Sequence, residues 1–280
     1  MSNVIGDLTN GLHISVSALK QIQECPREFL FARIRGDKPE HVSSRMVLGS
    51  ACHRALAKFY EALRDDLPEP SILSLVAVAH AAIDEASAGS VPVIFDEGED
   101  VETLKAEAGR LLVVFAVHAY RPVRVLAVEE PFAIPLVHPE TGEMPHAELL
   151  GGVFDLVVED QEGNVVVLDH KFGKRRPQHV DGGDLQLGLY SVAAKELFQL
   201  ERLPRVGHQV VLRTKTVKVE LDVRDVDDAE LREVTEAAIS GLELIRVAVD
   251  HPAPERLLGR RRSWRCSGCA YRMRCSGRVG

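Results

Sequence analysis

Several things are missing from the 280-residue chain, and each absence narrows its class. Its start, MSNVIGDLTN, has no basic stretch leading into an apolar one, so no secretory leader is expected. No apolar run approaches the roughly 20 residues that a membrane helix needs. A cytoplasmic location is therefore the expectation, with no membrane partner. Cysteine is sparse, five in all. In a cytoplasmic chain such thiols read as metal ligands, reactive groups or core filler rather than disulfides. There is no internal repeat and no long disordered tract. Acidic residues are absent from Arg256 onward, where eight arginines stand, so that of a net charge of −8 the preceding residues carry −16. An acidic body of this kind excludes a generally adhesive nucleic-acid binder and confines any polyanion contact to a local basic patch.

With 45% hydrophobic residues, the chain can build the core of one large domain or two small ones. The front third reads as helix. His13 to Arg35 offers Ser15 and Ser17 as caps and is interrupted near Cys25-Pro26; Ser43 to Arg64, Ser71 to Ser87 and Asp100 to Tyr120 follow. From Pro122 the period changes. Val123 to Val137 reads as a bent or edge strand holding Glu129 and Glu130 and broken by Pro131 and Pro135. A basic loop, KFGKRRPQHVDGGD, leads to a helix from Asp184 to about Leu200. Strands over Val206 to Leu212 and Val217 to Val223 come next, then a helix over Asp227 to Val249. These elements predict a mixed α/β core of about five strands flanked by helices.

The stretch Gly151 to Lys171, GGVFDLVVEDQEGNVVVLDHK, concentrates the chemistry. Two β-branched arms surround turn residues Glu162-Gly163-Asn164, which predicts a hairpin. In the register that such a turn sets, Asp155 faces Asp169, while alternation puts Lys171 on the side of Asp169 and turns His170 away. Two facing acids beside an ammonium are a poor choice for stability alone. A hard divalent cation, magnesium or manganese, resolves the conflict; a solvated surface hairpin with one salt bridge is the alternative.

At the C-terminus, Cys266, Cys269 and Cys275 form C-x2-C-x5-C, and three close thiols want a fourth. Cys25 is the natural candidate, because Cys52 lies on an amphipathic helix and reads as core filler. Zinc and an iron-sulfur cluster both accept four thiolates, and spacing does not choose between them.

Taken in order, His53 in GSACHRAL, Glu130 in VEEPF, Asp155 in GGVFD, Asp169-His170-Lys171 and Gln186 to Tyr190 in QLGLY, framed by one early cysteine and a late triplet, resemble the RecB-like branch of the PD-(D/E)XK nuclease superfamily. The resemblance runs from about Ser15 to Cys275. Within that branch the cysteine pattern is similar to the iron-sulfur nucleases, which include CRISPR-adaptation exonucleases and the AddB nuclease module. One departure is Asp169, where glutamate is commoner.

The resemblance implies a restriction-endonuclease-like fold in a single nuclease domain over residues 1–280. It would comprise a helical region at 1–121 carrying Cys25 and His53, an α/β core at 122–250, and an arginine-rich iron-sulfur segment at 251–280. It implies metal-dependent hydrolysis of DNA phosphodiester bonds by an exonuclease or end-trimming nuclease acting on single-stranded DNA or DNA ends. Repair, recombination, phage replication or CRISPR adaptation is the setting, with helicase or CRISPR-integrase proteins as partners. Asp155, Asp169, His53 and the backbone carbonyl of His170 would hold one or two magnesium or manganese ions. Lys171 would orient water or neutralise charge, and Gln186 and Tyr190 would position the water, the lysine or the strand. Cys25, Cys266, Cys269 and Cys275 would carry a structural four-iron four-sulfur cluster, with zinc as the alternative. DNA would be met by Lys174, Arg175, Arg176 and the arginine-rich tail. Tyr271 and Trp264 are candidates for stacking on unpaired bases, although Trp264 reads better as core beside the cluster. A DNA-binding or scaffold subunit with a vestigial site is the rival reading.

Overall fold

Serine and aspartate caps set where the helices begin. The computed structural model describes residues 13–138, 141–142, 144, 149–177 and 184–277; the opening decapeptide and residues 178–183 of the expected basic loop lie outside them. Strand β1 (His13–Ser15) ends on Ser15, whose hydroxyl accepts from Ala18 N–H and opens α1 (Val16–Glu24). Pro26 starts the short α2 (Pro26–Phe29), which widens into a π turn at Leu30–Ile34. After β2 (Val42–Ser43), Ser43 caps α3 (Ser44–Arg64) and Ser71 caps α4 (Ile72–Ser87). β3 (Val93–Ile94) pairs with β2, and Asp100 with Thr103 closes a capping box on α5 (Val101–His118). The remainder is β4 (Arg124–Pro135), β5 (Leu149–Glu159), β6 (Val165–Gly173), α6 (Leu185–Leu197), β7 (Arg205–Leu212), β8 (Lys218–Arg224), α7 (Asp228–Asp250) and α8 (Arg272–Ser276).

The main sheet runs β1-β5-β6-β7-β8, with β4 on the other edge of β5. It is mixed: β1 with β5 and β6 with β7 are parallel, the rest antiparallel. Helices cover both faces. One core joins the sheet to α1, α6 and α7 through Leu19, Phe154, Leu189 and Leu242; the other joins it to α3, α4 and α5 through Leu48, Phe59, Leu111 and Leu168.

This is the α/β core expected, a mixed sheet of about five strands flanked by helices, with three local corrections. His13–Ser15, read as the start of a helix, is a short strand that pairs with Leu149–Gly151 and makes the sheet six-stranded. Three residues are too few to show a strand period, and their partner lies far along the chain. The helix predicted through Arg35 also loses its α geometry after Phe29. Finally, Pro131 and Pro135 do not break β4: it is an edge strand, paired only to β5 among the described residues, where a missing N–H is tolerated.

Candidate active site

The β5–β6 hairpin has the predicted register, Leu156 facing Leu168 and Glu159 facing Val165. β4 occupies one edge of β5 along its whole length, while on the other edge β1 takes Leu149–Gly151 and β6 takes Leu156–Glu159. Among the described residues, 152–155 are left between them without a strand on that edge. β6 diverges there, and the Asp155 carboxylate fills the opening by accepting from His170 N–H at 2.8 Å.

Both strands turn over at this point. Phe154 packs with Phe132 and Tyr190 in the α6 core, yet Leu156, two residues on, belongs to the opposite core. On β4, Phe132 and Val128 likewise separate, although residues an even number apart share a face in a regular strand. The change falls at Asp155 and at Glu129, whose φ is +45°. Glu129 stands across from Asp155, because Val128 pairs with Leu156 and Glu130 with Phe154. The structure thus brings Glu129, not Glu130, to the site.

His53 approaches from α3. Its Nε2 lies 2.9 Å from the His170 carbonyl oxygen, while Nδ1 lies 3.5 Å from Asp155 and 3.9 Å from Glu129. His53, Glu129 and Asp155 each offer a ligand atom, all within 4.8 Å of one another. With Nε2–H donated to the carbonyl, Nδ1 is turned to the acids, and metal-bound histidines commonly donate their other ring N–H to a carbonyl in this way. The His170 carbonyl, expected as a metal ligand, lies at the Nε2 end of the imidazole.

From the other face α6 contributes Gln186, whose amide donates to Asp169 Oδ1 at 2.9 Å and lies 3.4 Å from the Tyr190 hydroxyl. Asp184 caps this helix and fixes Gln186 by accepting from its N–H. Gly152 makes room: a Cβ there would stand 2.4 Å from the Phe132 ring and 3.2 Å from that of Tyr190. Asp169 is buried. Its Oδ2 faces Lys171 Nζ at 2.6 Å but has no well-aligned hydrogen bond. His208 of β7, which sequence patterning did not single out, holds Nε2 3.8 Å from the same oxygen. The ring of His170 turns away and stacks on Tyr60 at 5.6 Å.

The electrostatics are those of crowded acids. Burial and the charge of Asp169 push Asp155 up to about 6, although His53 and the His170 N–H oppose them. Burial draws His53 down, but the neighbouring carboxylates of Glu129, Asp155 and Asp169 outweigh it and leave the pKa raised. Lys171 is likewise desolvated, yet Asp169 raises it and keeps it an ammonium. A divalent ion fits this donor set of carboxylate oxygens and one imidazole nitrogen.

Away from the carboxylates, Cys25, Cys266, Cys269 and Cys275 line one cavity of about 380 Å³. Burial, with Cys25 and Cys275 close by, raises the Cys269 thiol, and Tyr271 N–H points to its sulfur at 3.5 Å. Cys52 is core filler, its thiol pushed up to about 12 by burial. Lys174, Arg175 and Arg176 are exposed just past β6, with Arg176 bound to Glu220 through both nitrogens. The aromatic expectations reverse: Trp264 is 85% exposed rather than core, and Tyr271 is buried against Phe31 rather than open to a base.

The profile of the PD-(D/E)XK nuclease superfamily matches residues 13–276. The chain belongs to this superfamily. A PD-(D/E)XK protein is a phosphodiester hydrolase, its members use divalent metals such as magnesium, and the family implies DNA as substrate. A candidate exonuclease from Eubacterium rectale has the same fold, with a TM-score of 0.55 at 12% identity over 98% of this chain and 91% of that one. The structure of SSO0001 aligns over 94% of this chain and 96% of that one at 14% identity, but its TM-score of 0.32 carries no argument. No curated protein matches. Among the described residues, no helix is long and apolar enough to cross a membrane.

Proposed function

We propose that this PD-(D/E)XK nuclease is of the RecB-like, iron-sulfur type. It acts as an exonuclease or end-trimming nuclease on single-stranded DNA or DNA ends, with residues 1–280 working as one nuclease domain. The observation that carries the reading is the cluster of His53, Glu129 and Asp155 in the opening of the sheet, with the buried Asp169–Lys171 pair close enough to raise the Asp155 pKa. His53 Nδ1, Glu129, Asp155 and Asp169 would hold magnesium or manganese, which supplies Lewis acidity toward the phosphate and a bound water of lowered pKa. Lys171, held as an ammonium, donates to the attacking water or to a phosphoryl oxygen and does not serve as the base. Gln186 fixes Asp169 by its Oδ1, and the Tyr190 hydroxyl, whose pKa burial raises, stays protonated to support Gln186.

The four thiols around one cavity suit a structural four-iron four-sulfur cluster, with zinc as the alternative. The arginine-rich segment with Lys174 and Arg175 meets the DNA backbone, and binding is expected to weaken steeply with salt. Helicase or CRISPR-integrase partners belong to the same reading, in repair, recombination, phage replication or CRISPR adaptation. Asp169→Ala should abolish cleavage of end-labelled single-stranded DNA in magnesium or manganese while circular dichroism shows the fold retained. Undiminished cutting by that variant refutes the site.

A further inference from the structure

A groove between α1 and α6 leads away from the carboxylates. Its volume is about 250 Å³, and its walls include Ser17, Lys20, Glu24, Gln186, Tyr190 and Arg265. At the inner end stands Gln186, already bound to Asp169. The Gln186 side-chain oxygen accepts from Lys20 Nζ at 3.2 Å, so this ammonium meets a neutral amide. Arg265 marks the outer end, held by Glu24 at 2.8 Å. Glu28, the other acid on the wall, faces Gln21 at 3.4 Å.

Next to Arg265 is Trp264, the one tryptophan of the chain, 85% exposed. Arg260, Arg261 and Arg262 stand just before it, all exposed. A large ring left in water among cations suits a flat, apolar, anion-linked partner. A nucleic-acid base is such a partner, and it can stack only where it is unpaired. With Lys20 at the end next to the carboxylates and Arg265 at the other, the groove has a cation at each end for one phosphate backbone.

We propose that this groove is the track of a single DNA strand. Lys20 holds the phosphate adjoining the scissile one, and Trp264 stacks an unpaired base where the strand reaches the arginine segment. The inference rests on the nuclease reading above and adds which strand form enters and by which side chains.

Anisotropy titrations with labelled thymidine tracts, abasic tracts of equal length and a matched duplex test it. They use the full chain carrying Asp169→Asn, so that binding is read without turnover. Adding Trp264→Ala should weaken thymidine-tract binding by roughly 5-fold to 100-fold and leave the abasic tract unchanged, since only stacking is removed. Lys20→Ala should weaken both tracts and lower the salt slope by about 0.7. No loss with Trp264→Ala, the same loss on abasic DNA, or the same loss on duplex would overturn the track. Residual cleavage by Asp169→Asn would instead count against the catalytic assignment, while the binding comparison still decides the track.

Discussion

Proton balance at Asp155 and His53 governs how the metal-free protein responds to pH. Asp155 is raised from 3.8 to about 6, so folding penalises its ionised form. That penalty is absent below about pH 4 and complete above about pH 6, where it amounts to about 3 kcal/mol at most. His53 is raised from 6.5, so its contribution is full below pH 6.5 and is lost as pH rises through the raised value. Both shifts therefore remove stability as pH climbs. Metal-free protein should lose several degrees of Tm between pH 4 and pH 7.5 in scanning calorimetry, apart from its other groups, and Asp155→Asn should flatten that slope. Manganese should raise Tm more at pH 7.5 than at pH 5, because it competes with the same protons; an equal gain at both would remove Asp155 and His53 from the metal site. Strand register and alternation alone pointed to Asp155, Asp169 and Lys171, whereas helical spacing put Gln186 and Tyr190 on one face and only the family resemblance tied them to the site. Glu129 was not legible: the resemblance pointed to Glu130 in VEEPF, whereas β4 changes face at Glu129, whose φ is +45°, and brings that carboxylate to the site.

Among the elements, the helix starts were legible because caps are local: Ser43, Ser71, Asp100, Asp184 and Asp227 each accept from the first turn that follows. β1 was not, since a three-residue parallel strand exists only through its distant partner. Close approach of β7 to β8 imposes another local requirement. A Cβ on Gly207 would lie 2.1 Å from the Asp222 carbonyl oxygen, a backbone atom with nowhere to go. Gly207→Ala should lower stability by roughly 1–3 kcal/mol in urea denaturation. Because Gly207 precedes His208, any β8 displacement should also perturb the surroundings of Asp169. Unchanged urea midpoints would mean that the two strands can separate there without loss.

Across the molecule, polar contacts fasten the C-terminal segment to the N-terminal region. Glu40 accepts from the N–H groups of Met273 and Arg274 at the start of α8, and Asp37 pairs with Arg274 at 2.8 Å. Tyr271 donates to the Asp37 carbonyl oxygen, and Arg27 donates to that of Glu255. Cys275→Ser should accordingly lower metal content and Tm while the segment stays docked; full metal content and an unchanged Tm would refute the cluster. The late triplet and Cys25 were legible as a set because few thiols compete, whereas the polar clasp was not, its partners lying some 230 residues apart.

Helix α1 gives these two regions a mechanical link. At about 14 Å, it is a stiff rod, seated at one end on β5 beside the carboxylates through β1 and at the other on Cys25. A disturbance at the thiols is thus expected to reach the hydrolytic centre as a tilt of the rod, shifting the angle at which Lys20 meets Gln186. Cys25→Ser should then appear as slower turnover with unaltered manganese affinity, the signature of a lever rather than of a melted site.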